Sequence, residues 1–331
     1  MRALVFERFG EPAEVLQLRE VPLPRPGPGE VRVRMIASPI NPSDLLLIRG
    51  VYGRRAEPPA VPGFEGVGIV EESGGGLLAW RVLGKRVAVL NSRGGNWQEH
   101  VIIPARQAVP VPADLPDEQV ASFFVNPATA LVMVTRVLKV PRGEWLLQTA
   151  ANSALGKMII RLGRVLGFRT VNVVRRPAAR EELAPLHPDA VIVWQNGQLP
   201  QLLQEQLPQV TIRYAVDAVG GTLGTQVISC LGPQGHLLVY GTLSGEPLQF
   251  SSRELMVNSR KVEGFWLAEW TKRQKAFTMW RLFRQIIRLM RRKVLTTDVA
   301  AQYPLERFQD ALRHAQTSGR AGKVLLRFGP A

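Results

Sequence analysis

EWLLQTAANSALGKMIIRLGRVLGFRTVNVVRR, residues 144–176, is the stretch on which the fold of this chain turns. It opens with an apolar strand, Trp145-Leu146-Leu147-Gln148-Thr149, and a turn of small residues, Ala150-Ala151-Asn152-Ser153-Ala154-Leu155-Gly156. Met158, Ile159, Leu162 and Leu166 then recur at helical spacing, and Thr170 to Val174 forms a second strand that closes on Arg175-Arg176. A strand, small-residue turn and helix aim unpaired backbone N–H groups at a pyrophosphate, which needs small side chains for close approach. An arginine at the end of the second strand, where an acid would suit a ribose hydroxyl, favours a 2′-phosphate and therefore NADPH. The glycine fingerprint is thin: Ala151 and Ala154 stand at glycine positions and Gly156 alone remains. On this segment by itself, an ordinary βαβ unit with no ligand is an equal reading.

Working outward, strands are expected at 146–149, 170–174, 190–193, 213–217, 236–240 and 261–266, with helices between most of them. Such alternation gives a doubly wound parallel sheet, assigned to a nucleotide-binding domain over 121–270. A helix is expected through Ala130 to Leu138. The first 120 residues instead offer short strands broken by Pro and Gly, at Glu30 to Ile36, Phe64 to Val70, Val87 to Leu90 and Glu99 to Ile103. They read as a barrel-like β domain, 1–120, completed by 271–331 with a last strand at Val324 to Phe328. The chain is thus α/β with two domains.

The charge is strongly basic, 42 Lys+Arg against 27 Asp+Glu, a net +15 over 331 residues. Part of the excess lies between Lys272 and Lys293, where Lys272, Arg273, Lys275, Arg281, Arg284, Arg288, Arg291, Arg292 and Lys293 occur without an acid. Phe277, Trp280, Phe283, Ile287 and Leu289 supply the expected apolar side of one helix. That segment suits docking of an acidic protein or a phosphate-rich substrate handle, and a solvated helix in a basic protein accounts for it as simply. No nucleic-acid-binding module is readable. No apolar run approaches the roughly 18 residues of a membrane span. The N-terminus enters a strand directly, so no leader is expected, and the single cysteine, Cys230, suits the cytoplasm.

Read together, Asn41-Pro42-Ser43-Asp44, Val51-Tyr52-Gly53, Gly63-Phe64-Glu65-Gly66-Val67-Gly68, Gly95-Asn96-Trp97, Val125-Asn126-Pro127-Ala128-Thr129-Ala130, Asn152-Ser153-Ala154-Leu155-Gly156, Asn172-Val173-Val174-Arg175 and Gly264-Phe265-Trp266-Leu267 run in order along nearly the whole chain. This set resembles the zinc-free 2-enoyl thioester reductases of the medium-chain dehydrogenase/reductase superfamily, and next the quinone oxidoreductases. The resemblance implies a GroES-like β domain and a Rossmann domain. Zinc-dependent members carry Cys where Asn41 stands and His where Phe64 stands, with four further Cys in a structural lobe. This chain has none of these, and His100, His187, His236 and His314 show no ligand spacing. No metal is expected. Reduction of a C=C bond conjugated to a thioester needs no Lewis acid, because the carbonyl already delocalises the incoming electron pair.

The resemblance implies hydride transfer from NADPH to the β-carbon of a 2-enoyl thioester, with protonation at the α-carbon. It places the catalytic tyrosine at Tyr52, which on residues alone is a packing or surface residue in a Gly-flanked loop. It makes Asn126 a nicotinamide-side contact and Asn152, Ser153, Ala154, Leu155 and Gly156 the pyrophosphate turn. Arg175 and Arg176 take the 2′-phosphate. Tyr240, Gly241, Thr242 and Leu243 lie beside the nicotinamide ribose, followed by Phe265, Trp266, Leu267 and Ala268, with Lys323 as a C-terminal contact. Two departures stand out: Ala154 replaces a turn glycine, and Pro177 replaces a basic residue. The implied partners are an acyl thioester or a quinone, an acyl carrier protein on the basic helix, and a second copy in a homodimer. The alternatives are an NADPH:quinone or 2-alkenal reductase and, from another class, a non-catalytic NADPH-binding protein.

Overall fold

The computed structural model describes residues 1–320 and 322–329. They divide into two compact units, Met1–Asn126 with Trp280–Ala331, and Pro127–Met279.

The Pro127–Met279 unit is a six-stranded parallel sheet in the order Ala190–Val193, Arg169–Val174, Trp145–Gln148, Ile212–Asp217, Leu231–Val239, Lys261–Gly264. Counting those strands along the chain gives 3-2-1-4-5-6, the doubly wound order, in which the direction of winding reverses beside Trp145–Gln148. The helix Ala154–Leu166 forms because Leu155, Met158, Ile159 and Leu162 bury one stripe. Ser153 caps its start, its Oγ accepting from Gly156 N at 3.0 Å, and Gly167 closes it in the left-handed conformation. Strand ends move by a few residues from the sequence reading. The fifth strand begins at Leu231 because Leu231 pairs with Ile212 across an irregularity in the ladder. The sixth ends at Gly264, and Phe265 N still donates to Val239 O.

In the other unit a seven-stranded sheet runs Val299–Pro304, Lys323–Arg327, Glu30–Pro39, Glu65–Ser73, Arg86–Leu90, Ala108–Pro110, with His100–Pro104 also on Glu30–Pro39. All pairings are antiparallel except the first. A separate hairpin joins Arg2–Phe6 to Leu16–Glu20. Phe6, Met35, Ile103 and Trp97 fill the core. Gly63 is obligatory there: its φ is +100°, and a Cβ would lie 2.5 Å from Trp97 Cδ1.

Two sequence expectations are corrected. The helix expected from Ala130 starts at Val125, runs to Val132 and continues as a π turn over Met133–Val137. The basic segment is not one helix from Lys272: Leu267–Lys272 and Ala276–Arg291 are separate helices. The second buries Leu282, Ile286, Leu289 and Met290, spaced by four, three and one, whereas Phe277 and Trp280 are exposed. Phe283 lies half-buried against Phe123 and Phe124.

Candidate functional site

In the Pro127–Met279 unit the residues expected to bind the cofactor gather at the carboxyl ends of the parallel strands. The turn after Trp145–Gln148 is built without the usual glycines, so Ala150 takes φ +48°, a conformation costing an L-residue about 1–2 kcal/mol. Gly156 lets the helix approach this turn: a Cβ there would lie 2.4 Å from Ala151 O, so the helix rests directly on the turn's backbone. With Ser153 holding Gly156 N, the N–H groups of Ala154 and Leu155 are in the first turn, beyond reach of any intrahelical carbonyl. A helix end with such unpaired N–H groups is the kind at which anions bind.

Thr149, Asp217 and the Tyr240 loop knit the neighbouring strand ends. Thr149 Oγ1 donates to Asp217 Oδ1 at 2.5 Å and accepts from Ala218 N at 2.9 Å. Asp217 also accepts from Val219 N and Gly220 N at 3.0 and 2.8 Å, shaping the Gly220-Gly221 turn. Tyr240 N donates to Asp217 O and Leu243 N to Ala218 O, while a Cβ on Gly241 would lie 2.7 Å from Ala218 O. The structure therefore brings Tyr240, Gly241, Thr242 and Leu243 against the end of Ile212–Asp217. Phe265 is buried in the next strand end, with Trp266 and Leu267 half-buried after it. Asp217 was not singled out in the sequence; an acid closing an apolar strand just before Gly220-Gly221 is its signal.

Arg175 is exposed and Arg176 half-buried beyond Arg169–Val174. Arg176 Nη2 donates to Glu182 Oε1 at 2.9 Å, and the same carboxylate accepts from Asn152 Nδ2 at 2.5 Å. Glu182, unforeseen in the sequence, thus links the pyrophosphate turn to the arginine pair. The Asn152 hydrogen bond, and then the Arg176 guanidinium, hold its carboxyl below the usual range. A cleft of about 580 Å³ opens beside them, lined by Pro177, Ala178, Arg180, Glu181, Val193 and Gln195.

Two buried polar atoms here, Asn152 Oδ1 and Tyr240 Oη, have no hydrogen-bond partner among the described residues. Burial, then the Asp217 charge, raises the Tyr240 phenol's pKa, keeping it a neutral donor. An orphaned acceptor and an orphaned donor fit a dinucleotide, which offers hydroxyl donors and phosphate and amide acceptors.

In the other unit Tyr52 follows the helix Pro42–Arg49. Gly50 caps that helix in the left-handed conformation, and the N–H groups of Val51 and Tyr52 both donate to Leu46 O at 3.1 Å. The Tyr52 ring packs on Phe64, centroids 5.1 Å apart. At the helix start, Asp44 Oδ2 accepts from Asn41 N at 2.7 Å, and Oδ1 accepts from Phe64 N at 3.1 Å. Asn41 Nδ2 donates to Glu65 Oε1 at 3.1 Å, and Glu65 Oε2 accepts from Phe124 N and Val125 N at 2.9 and 2.8 Å. Asn126 follows directly, half-buried. Lys323, expected among the cofactor contacts, is buried with its ammonium donating to Asn41 Oδ1. Burial moves the Asp44 carboxyl up to about 7 and lowers the Lys323 ammonium's pKa, which Glu65 and Asp44 partly restore.

Three of the four histidines have side-chain partners: His100 meets Glu71, His236 meets Glu263 and His314 meets Tyr303. The Cys230 thiol is pushed up to about 12 by burial, so it is not a thiolate nucleophile.

Comparison with known proteins adds the following. The alcohol dehydrogenase GroES-like domain family matches residues 27–113, and the zinc-binding dehydrogenase family matches 154–285. The mitochondrial enoyl-[acyl-carrier-protein] reductase of Xenopus tropicalis is 33% identical over 98% of this chain and 95% of its own length. Among solved structures, a complex of Etr1p with NADP and crotonyl-CoA superposes with TM-score 0.83 at 27% identity, covering 99% of each chain. The quinone oxidoreductase of Thermus thermophilus, whose NADPH complex is also known, superposes with TM-score 0.80 at 26% identity, covering 99% of this chain and 100% of that one.

Proposed function

The chain belongs to the zinc-free branch of the medium-chain dehydrogenase/reductase superfamily and is an NADPH-dependent oxidoreductase, and from that premise we propose that it reduces the 2,3-double bond of 2-enoyl thioesters. Bound NADPH supplies hydride to the β-carbon. The electron pair of the C=C bond moves toward the thioester oxygen, the α-carbon takes a proton, and the saturated thioester results. The observation that carries this reading is Tyr52, a phenol fixed by a helix C-cap and the Phe64 ring. A neutral phenol donates to the thioester oxygen as negative charge develops there, or passes its proton to the α-carbon. With no metal ligand set among the described residues, a fixed hydrogen-bond donor is the group this chain offers to that charge.

The cofactor-binding assignment follows the site described above. Ser153 shapes the helix end, Ala154 and Leu155 offer N–H groups to the pyrophosphate, and Arg175 and Arg176 take the 2′-phosphate. Asn152, Gly156, the Tyr240–Leu243 loop and Phe265 to Leu267 complete the binding surface, with Asn126 on the nicotinamide side.

The second reading, an NADPH:quinone or 2-alkenal reductase, is favoured by the Thermus thermophilus likeness. We further assign an acyl carrier protein to the exposed Arg281, Arg284 and Arg288, whose charge complements an acidic partner. A homodimer is assigned to the outer edge of Lys261–Gly264, unpaired among the described residues and the kind of edge a second copy extends. A cytoplasmic location goes with the single cysteine.

The deciding experiment follows NADPH absorbance with crotonyl-CoA, a longer 2-enoyl-CoA and a simple quinone, using wild type and Tyr52→Phe. Enoyl-CoA turnover that depends on Tyr52 supports the reductase. Quinone turnover indifferent to Tyr52, without enoyl-CoA turnover, promotes the second reading. NADPH binding with no turnover of either acceptor leaves a non-catalytic binding protein.

A further inference from the structure

The connection between the paired strands Glu65–Ser73 and Arg86–Leu90 carries large apolar side chains into water. Gly75 and Gly76 take φ +98° and +96°, which favours glycine, and lead into the short helix Leu77–Val82. Ala79 and Val82, three residues apart, are buried in the core of the unit and tether that helix. The register turns Leu77, Leu78 and Trp80 outward, where they are 89%, 48% and 63% exposed, with Leu83 exposed just after them. The 22–29 loop lies alongside: Gly29 N donates to Gly75 O at 3.1 Å, and Pro24 O accepts from Arg32, which pairs with Glu72. That loop adds exposed Leu23 and Arg25. Ala105 N donates to Gly29 O at 3.0 Å, which brings the turn Ala105–Gln107 to the same face. Around the apolar tip stand Arg25, Arg81, Lys85 and Arg106, all exposed and with no side-chain partner among the described residues. The acids at the adjoining strand end are already taken, Glu71 by Arg34 and His100 and Glu72 by Arg32.

We propose that this face docks on an anionic lipid membrane, with Leu77, Leu78 and Trp80 entering the boundary between headgroups and acyl chains while Arg25, Arg81, Lys85 and Arg106 meet the lipid phosphates. Three features favour a lipid surface over a protein. The apolar side chains project from the tip of a hairpin, and a fluid bilayer takes up a projecting group without a preformed cavity. An indole sits well at headgroup level, and Lys and Arg keep their charge in water while their stems lie along apolar surface. The unpaired cations complement anionic headgroups, and the net charge of +15 adds attraction at longer range. No helix of the described residues is long and apolar enough to cross a membrane. The proposed contact is therefore with the surface of one leaflet. Long acyl chains and apolar quinones both partition into bilayers, so docking would serve either acceptor, and the inference does not depend on the choice between them.

The test is sedimentation with vesicles of phosphatidylcholine alone and of about 3:1 phosphatidylcholine to phosphatidylglycerol, in low salt and in about 0.5 M salt. Wild type is compared with Leu77→Ser/Trp80→Ser, with Arg81→Gln/Lys85→Gln/Arg106→Gln, and with Trp280→Ser as a control on the other exposed tryptophan. An NADPH Kd within about twofold of wild type shows that each variant is folded, as expected for surface positions. Wild type should partition onto the anionic vesicles at least about tenfold better than onto phosphatidylcholine, and high salt should weaken this. Both multiple variants should lose about tenfold or more on anionic vesicles, with the charge variant also losing the salt dependence, while Trp280→Ser should bind as wild type. Brominated lipid should quench tryptophan emission in wild type and not in Leu77→Ser/Trp80→Ser. Wild type that ignores anionic vesicles, or binding that is lost in Trp280→Ser and kept in Leu77→Ser/Trp80→Ser, overturns the inference. So does a wild-type dimer that falls apart in Leu77→Ser/Trp80→Ser without vesicle binding, which would make the face a contact between copies of this chain.

Discussion

The two units use charge in opposite ways. In the GroES-like unit, Asp44, Glu65 and Lys323 are buried and hydrogen-bonded to backbone or Asn41. In the Rossmann unit, Arg175, Arg176 and Glu182 lie at the surface, where the interactions of charges are screened by salt. A buried charge resists change because removing its partner strands it, whereas an exposed one is replaced by water. The half assigned to acid chemistry is therefore rigid, and the half assigned to the cofactor is adjustable.

The widest separation between the halves is in stability. Glu65→Ala removes the acceptor of two backbone N–H groups and a buried anion that acts on Lys323, and we expect a loss of about 3–5 kcal/mol in chemical denaturation. Arg176→Ala, which breaks an ion pair 36% exposed on both sides, should cost under about 1 kcal/mol. Equal losses would end the contrast between a buried and an exposed half. In activity, Tyr52→Phe should lower kcat for crotonyl-CoA by roughly 10²–10³-fold with little change in NADPH Kd. Conversely, Arg175→Ala/Arg176→Ala should raise the NADPH Kd by about tenfold or more, leave NADH binding nearly unchanged, and affect kcat little at saturation.

The pH dependence of stability sharpens the same contrast. Because burial lifts Asp44 from 3.8 to about 7, the unfolded chain releases this proton at lower pH than the folded one. The contribution of Asp44 is fully present below about pH 3.8 and is lost as pH rises through about 7. Wild type should therefore lose stability relative to Asp44→Asn across that window in urea melts taken at several pH values. A constant difference across the window would mean that Asp44 ionises at its ordinary value and that Lys323 is the stronger influence.

How much of this was legible follows the same division. The Rossmann unit could be read from periodicity, because Met158, Ile159 and Leu162 and the strand runs are local signals. The Arg175-Arg176 pair was also in view, since a strand end is a short-range feature. The buried cluster was not: Lys323 meets Asn41 across 282 residues, and Glu65 meets Phe124 across 59. No spacing rule reports such contacts. Asn41-Pro42-Ser43-Asp44 was legible as a resemblance, and a helix start with an acid three residues on is its physical reading. That this acid is fully buried and also holds Phe64 N was not legible. On the basic helix, the large side chains of Phe277 and Trp280 outweighed Leu282, Ile286 and Met290, so of the expected apolar side Leu289 is buried while Phe277 and Trp280 are exposed.

The smallest expected effect concerns Glu182, where the adjustable half meets its own limit. Its carboxylate accepts from Asn152 Nδ2 and Arg176 Nη2, so it occupies the guanidinium proposed for the 2′-phosphate and would add negative charge beside that phosphate. Glu182→Gln keeps an amide oxygen for Asn152 and removes the charge. We expect the NADPH Kd to fall by about two- to fivefold in low salt and the difference to shrink toward nothing above about 0.5 M salt, since the groups are solvent-exposed. NADH, lacking the 2′-phosphate, should respond less, so the NADPH preference widens. A weaker NADPH affinity in Glu182→Gln, insensitive to salt, would show that the carboxylate acts by ordering Asn152 and Arg176. The cofactor half would then share the geometric use of charge found in the buried one.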